Sequence, residues 1–407
     1  MRIIPIIITI TLNINIALSQ SGTIASSTVG QYVKFGQYFG DTILWRIIRK
    51  NPDNSAMLLS ESILCIKPFD SKGDLTDGRG TPGGSGSRIA KGSNFWEKSN
   101  IREWLNSNET SVIYSGNPPK SEYTMLGLNA YDEEAGFLAN FTPSELSVIL
   151  ETKHKSLLAK VDAVSGVVDG GTDTHIDNVN LSDVVQNFDD AYFQLITDKV
   201  FLLDVKELYF DVWTNEALGG TTANLQLRKP TEQAVAHSEY IGSELNINTP
   251  FNYFLRTPNC NEENTVRSIS PATPNKVHSG ACFSSNGGIL PALNVSDKAY
   301  IFSGDGSVSN PFVVSGESAS IQSWINQSAS GIYFFPNPTS GELTVQMPDS
   351  GEIKSIEMFD LMGNLCKKWL EEEFDSPLYL NDQQTGVYIF VVKTTTKSYV
   401  HKVFLLR

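Results

Sequence analysis

The spacing of apolar and polar positions predicts a chain of short strands with few helices. Val33 to Phe39 and Thr42 to Arg49 are rich in β-branched and aromatic residues on either side of Gly40-Asp41, which predicts two strands and a hairpin-type turn. Ala56 to Leu59 reads as a third strand. Ile101, Trp104 and Leu105 fall at i, i+3 and i+4 behind Ser99, which predicts a helix capped by that serine with Trp104 in the core. Thr142-Pro143-Ser144-Glu145 is a capping box with proline at the first helical position, and it predicts a second helix burying Leu146, Ile149 and Leu150. Val200 to Leu203, Tyr253 to Thr257 and Ile289 to Val295 are later strands, and Phe302 to Val314 closes the unit. Asn261 to Gly280 is polar and reads as a loop.

Two intervals break the apolar rhythm. Ser71 to Ser93 is glycine-rich, yet Lys91 precedes Gly92 instead of following it, and position 87 is serine, so neither a phosphate-binding loop nor a nucleophile elbow is matched. A surface insertion is expected. Residues 168 to 183 are aspartate-rich, with Asp169, Asp173, Asp177 and Asp183 around His175. Hard cations prefer several oxygen ligands from a flexible loop, so Asp169, Asp173 and Asp177 are the candidate calcium ligands, although the spacing is not that of an EF-hand.

Both ends of the chain point to export. Met1-Arg2, the apolar run from Ile3 to Leu12 and the small residues Ala17 to Ser19 form a signal-peptide pattern, with Ser19 and Gln20 flanking the expected cleavage. Pro5, Asn13 and Asn15 interrupt the run before it reaches the roughly 20 apolar residues of a membrane span. At the other end, Phe335-Pro336-Asn337-Pro338-Thr339-Ser340-Gly341, Gly386-Val387-Tyr388-Ile389 and the final strand Tyr399 to Val403 resemble the C-terminal sorting domain of the type IX secretion system of gram-negative bacteria. That resemblance covers residues 332–407 and implies a small all-β sandwich, engagement of the secretion machinery, and a secreted or surface-displayed protein. The expected organisation is a signal peptide at 1–19, a functional domain at 20–315, a Ser-rich linker at 316–331 and the sorting domain.

The functional domain has a resemblance of its own. Trp45-Arg46-Ile47-Ile48, Trp96-Glu97-Lys98-Ser99-Asn100-Ile101-Arg102-Glu103-Trp104-Leu105-Asn106, Phe254-Leu255-Arg256-Thr257-Pro258 and Gly304-Asp305-Gly306-Ser307 resemble a bacterial surface-associated domain family of unassigned function. Ile289-Leu290 departs from that family's Val-Arg before Pro-Ala. The resemblance implies an α+β fold, a compact mixed sheet with two helices, distantly similar to C-type-lectin-like or sulfatase-modifying-factor folds, and it licenses no activity.

Charge narrows the partners. Lys plus Arg number 31 against 45 Asp plus Glu, a net −14, which disfavours nucleic acid and anionic lipid. Trp96, Arg102 and Arg256 are the candidate ligand contacts, through ring stacking and bidentate donation, and the competing expectation pairs each arginine with an internal carboxylate. Cys260 and Cys282 flank the polar interval and are the expected disulfide in an oxidising compartment. The leading functional expectation is a non-catalytic module for an extracellular glycan or protein. The alternative is a secreted hydrolase of an extracellular polymer, using carboxylates from Asp132, Glu133, Glu134 or the Asp169–Asp183 interval.

Overall fold

The computed structural model describes residues 22–73, 87–162, 171–172, 179–186, 188–189 and 193–316, and in the tail 333–337, 339–346, 353–360, 363–370, 377–395 and 398–406. The chain divides into two compact units, Met1–Gly316 and Glu317–Arg407. The signal-peptide residues, the centre of the glycine-rich insertion and Asp169, Asp173, His175 and Asp177 lie outside the described residues.

The first unit is a mixed-sheet α+β domain. Its eight-stranded sheet runs Gly22–Thr23, Tyr300–Ser303, Phe312–Ser315, Tyr32–Tyr38, Asp41–Lys50, Ala56–Ser60, Pro291–Val295, Val200–Leu202. Every neighbouring pair is antiparallel except Phe312–Ser315 beside Tyr32–Tyr38. A six-stranded sheet runs Cys65–Ile66, Gly288–Ile289, Tyr253–Pro258, Thr265–Ile269, Lys276–Ala281, Val179–Asn180. The two sheets are joined where Arg256 N–H donates to the Leu203 carbonyl at 3.0 Å. Strands Ala56–Ser60, Pro291–Val295 and Tyr253–Pro258 are buried along their whole length, so they read as continuous rather than alternating apolar runs.

Several local expectations shift. The first hairpin turns at Phe39-Gly40 rather than Gly40-Asp41, with φ of 48° and 84°, and Tyr38 faces Asp41 across it. A two-residue turn of this kind needs positive φ at both central residues. Phe39 adopts it while its ring stacks on His237, centroids 3.9 Å apart. Helix Asn100–Leu105 forms behind Ser99, but the serine hydroxyl donates back to the Trp96 carbonyl instead of capping. The Thr142 capping box forms as expected, yet its helix, Pro143–Leu146, lasts one turn. The chain then joins the sheet edge: Ile149 bridges Val295, and Leu150 N–H donates to Asn294, so neither belongs to a helical face. Glu145 of the same box also accepts from Gly36 N–H, where a Cβ would meet the Phe141 ring at 2.3 Å.

The polar interval after Cys260 is a correction. It contains strands Thr265–Ile269 and Lys276–Ala281, paired from Thr265 with Ala281 to Ile269 with Val277. Val266, Ile269 and Val277 supply its buried contacts. Too few apolar residues announced it, because buried polar side chains, Arg267 and Ser268, stand among them along Thr265–Ile269.

The second unit is all β. Strands Tyr333–Phe335, Glu342–Gln346 and Leu378–Tyr379 form one antiparallel sheet; Leu365–Leu370, Ile353–Phe359, Gly386–Thr394 and Ser398–Leu405 form another. Leu343, Met358, Phe390, Val392, Val403 and Leu405 belong to its common core.

Candidate functional site

Asp198 is the last residue of strand Phe193–Asp198, which pairs with Thr152–Leu157. Its carboxylate accepts from Trp96 Nε1 at 2.9 Å, Arg102 Nε at 2.6 Å and His154 Nε2 at 2.8 Å. Burial alone would raise this carboxyl, but the His154 hydrogen bond, the Arg102 charge and the Trp96 N–H together hold it below the usual carboxylate range. Asn106 completes the clasp. Its amide oxygen accepts from Lys199 and Val200 N–H, and its amide nitrogen donates to the Arg102 and Val200 carbonyls. The polar residues Trp96, Arg102 and Asn106 of the 96–106 string thus fasten one short helix to the neighbouring strands.

A second charged layer follows along the chain. Asp204 and Glu207 form a reciprocal capping box around helix Val205–Glu207, which runs on as a π-helical turn, Leu208–Trp213. Arg256 is 2 % exposed and donates to Glu207 Oε2 at 2.5 Å, Asp204 Oδ2 at 3.1 Å and the Leu202 carbonyl. Asp211, one turn beyond Glu207, pairs with Arg49 Nη1 at 2.8 Å. The fully buried Phe201 ring lies between the layers, 5.1 Å from the His154 ring and 5.4 Å from the Arg256 guanidinium carbon.

The carboxyls of this second layer differ in their proton affinity. Burial, reinforced by the like charge of Glu207 and opposed by Arg256, pushes Asp204 up to about 6. Burial acts on Glu207 as well, but the charge and hydrogen bond of Arg256 outweigh it and hold Glu207 below its ordinary value. Burial raises Asp211 to about 6; Arg49 opposes the rise, and Glu207 and Asp204 add to it. Phe210, next to Asp211 in the chain, is 52 % exposed, its ring met edge-on by Tyr209 at 4.9 Å.

Trp96 and Arg102 therefore belong to the Asp198 cluster with His154, and Arg256 to a second cluster with Asp204 and Glu207, beside which Arg49 pairs with Asp211. Trp96 is 0 % exposed, so no ligand can stack on it in this arrangement, and both arginines take internal carboxylates. Sequence reasoning missed His154, because the strand carrying it lies in a lysine-rich stretch without an apolar rhythm. The Asp204-to-Glu207 capping-box spacing was the available signal for the second layer.

Among the acids weighed for hydrolysis, Glu134 is committed elsewhere. It pairs with Lys67 Nζ and accepts from Tyr38 O–H at 2.7 Å, while the Lys67 ammonium lies 4.9 Å from the Trp104 ring and 4.8 Å from that of Tyr131. Among the described residues no group of His, Cys, Asp and Glu is arranged to hold a metal ion.

The expected disulfide partners lie close to the ends of the six-stranded sheet's strands. Cys260 and Cys282 are both buried thiols. Cys260 follows strand Tyr253–Pro258 and Cys282 follows Lys276–Ala281, and these strands flank Thr265–Ile269 on opposite sides.

A comparison with curated proteins finds no match. Residues 333–405 match the secretion system C-terminal sorting domain, which marks the protein as a type IX substrate, secreted or held at the cell surface. No helix among the described residues is long and apolar enough to cross a membrane. Residues 53–297, more than half of the chain, match a domain of unknown function, and the chain belongs to that family, DUF6273.

Proposed function

We propose that the first unit is a non-catalytic binding module for an extracellular glycan or protein, carried out of the cell by the sorting tail. In this reading the signal segment ends at Ser19, the module occupies 20–315 and residues 316–331 link it to the tail. One contrast carries the reading. The polar side chains of the 96–106 string are engaged inside the fold, whereas the 205–213 helix leaves an exposed aromatic ring beside half-buried charged groups. A rigid interior supporting one such outward face suits binding.

One observation favours hydrolysis as the second reading: Asp204 is pushed up while Glu207 is held down, the separation expected of an acid and its partner. Both acids, however, grip the same guanidinium and cap the same helix, which accounts for their positions without a substrate. A glycan-array and extracellular-protein screen of the mature protein, with reducing-end assays on every glycan retained, separates the readings. Retention without turnover supports the module. Turnover abolished in Glu207→Gln would establish the hydrolase.

A further inference from the structure

We propose that the outer face of the four-stranded sheet in the second unit is the surface by which the type IX machinery holds the tail, and that it fits an apolar protein patch rimmed by acidic groups. The sorting-domain match gives the tail this partner and leaves its contact surface unassigned. The tail would present this face whatever the first unit binds.

Pairing register separates the two sides of this sheet. Residues directly opposite each other across an antiparallel ladder point to the same side, and successive residues to opposite sides. Ile356, Met358, Phe390, Val392, Val403 and Leu405 take one side and belong to the core. The other side carries Phe359 opposite Leu365 and Ile389, Ser355 opposite Leu370, and Val387 opposite Phe404. None of these six apolar side chains belongs to the core, and Leu365, Leu370 and Phe404 are 54 %, 51 % and 39 % exposed. A solvated sheet face ordinarily carries polar residues. The companion three-stranded sheet follows that rule more closely, with Tyr379 opposite Glu342 and Phe335 opposite Thr344. Exposed apolar side chains gathered on one face mark a contact with another protein.

Charge indicates what the partner must offer. Lys368 lies opposite Glu357, Lys393 opposite Ser355 and Lys402 opposite Ile389, so all three lysines share the outer face. Glu357 is the one carboxylate among the described residues of that face, and it takes Lys368 Nζ on Oε1 and Lys393 Nζ on Oε2, each at 2.8 Å. The Lys402 ammonium lies 5.1 Å from the centre of the Phe404 ring. Three ammonium groups against one carboxylate leave the face positive on a chain whose net charge is −14. Such a face attracts an acidic surface and is poorly matched to a basic one. Lys368 and Lys402 also stand on the two edge strands, Leu365–Leu370 and Ser398–Leu405, where charge discourages edge-to-edge pairing with a second copy. The occupant is therefore a different protein, and the secretion machinery is the one that must meet the tail.

The test expresses the full-length chain in a cell with a working type IX system, with fractionation to locate the protein and limited proteolysis to verify its fold. Leu370→Ser combined with Phe404→Ser should lower the exported amount at least ~10-fold, as removal of central interface side chains does, and protease-resistant protein should accumulate in the periplasm. Lys402→Glu should do the same while Lys402→Arg is exported normally, which keeps the question decidable if the double variant fails to fold. Tyr379→Ser, on the companion sheet, should be exported like wild type. Export of either folded variant, the double serine or Lys402→Glu, at the wild-type level would overturn the assignment. Retention of Tyr379→Ser to the same degree would also overturn it, because the effect would then not belong to this face. So would a purified wild-type dimer that the double serine variant dissociates, since the face would then belong to a second copy.

Discussion

Asp198 shows how one carboxylate can decide the roles of its neighbours. Trp96, Arg102 and His154 all donate to it, so side chains that resemble a ligand site in one dimension are partners in three. Trp104 has a similar standing: it is buried against Tyr38, Tyr131 and Phe137, and its indole N–H donates to the Ala135 carbonyl. Trp104→Ala should destabilise the first unit by about 3–5 kcal/mol in chemical denaturation, the usual cost of emptying a large aromatic site. A loss below about 1 kcal/mol would contradict its place in the core.

Asp211 gives a prediction with a definite sign. Its folded value near 6 exceeds the ~3.9 of an unfolded aspartate, so between those values the folded state holds more protons. Stability should therefore fall as pH rises from about 4 to about 6. Asp211→Asn should flatten part of that fall in pH-dependent melting curves, with Asp204 supplying the remainder. Superimposable pH profiles of mutant and wild type would contradict this. The thiols give a third prediction. Cys65, Cys260 and Cys282 are buried, and burial pushes Cys65 up to about 12, so in the native exported protein these three should resist alkylation and react only on denaturation. A Cys260–Cys282 disulfide found by peptide mapping would refute the thiol assignment.

Among the elements, legibility followed the physics of burial. Strands with continuous apolar content were readable: Ala56–Ser60 and Val200–Leu202 lie close to where the pattern put them. The capping box at Thr142 was readable because its signal is local. Its helix length was not, because Ile149 and Leu150 are drawn away by pairing with a strand distant in sequence. Strands Thr152–Leu157 and Lys276–Ala281 escaped because their side chains are largely polar, and backbone pairing, which leaves no side-chain signature, holds them in place. The candidate site was half legible: Trp96, Arg102 and Arg256 stood out by residue type, while the carboxylates that organise them lie about 50 to 100 residues away in the chain. Since Asp198 ties helix Asn100–Leu105 to two strands, Asp198→Ala should leave the buried Trp96 N–H and the half-buried Arg102 without their carboxylate and cost about 1–3 kcal/mol. Near-wild-type unfolding of that variant would show the clasp to be dispensable.

At the scale of the whole molecule, the DUF6273 domain and the sorting tail occupy separate compact units with separate apolar cores. Among the described residues, the first core is built from residues 24–314 alone. The net charge of −14 suits a protein that must stay soluble through export. The sorting tail should direct the first unit across the outer membrane. The most direct test is deletion of residues 333–405 followed by cell fractionation, with limited proteolysis to verify folding. The truncated protein should be protease-resistant and retained in the periplasm. Its appearance on the surface or in the medium at wild-type levels would contradict the account.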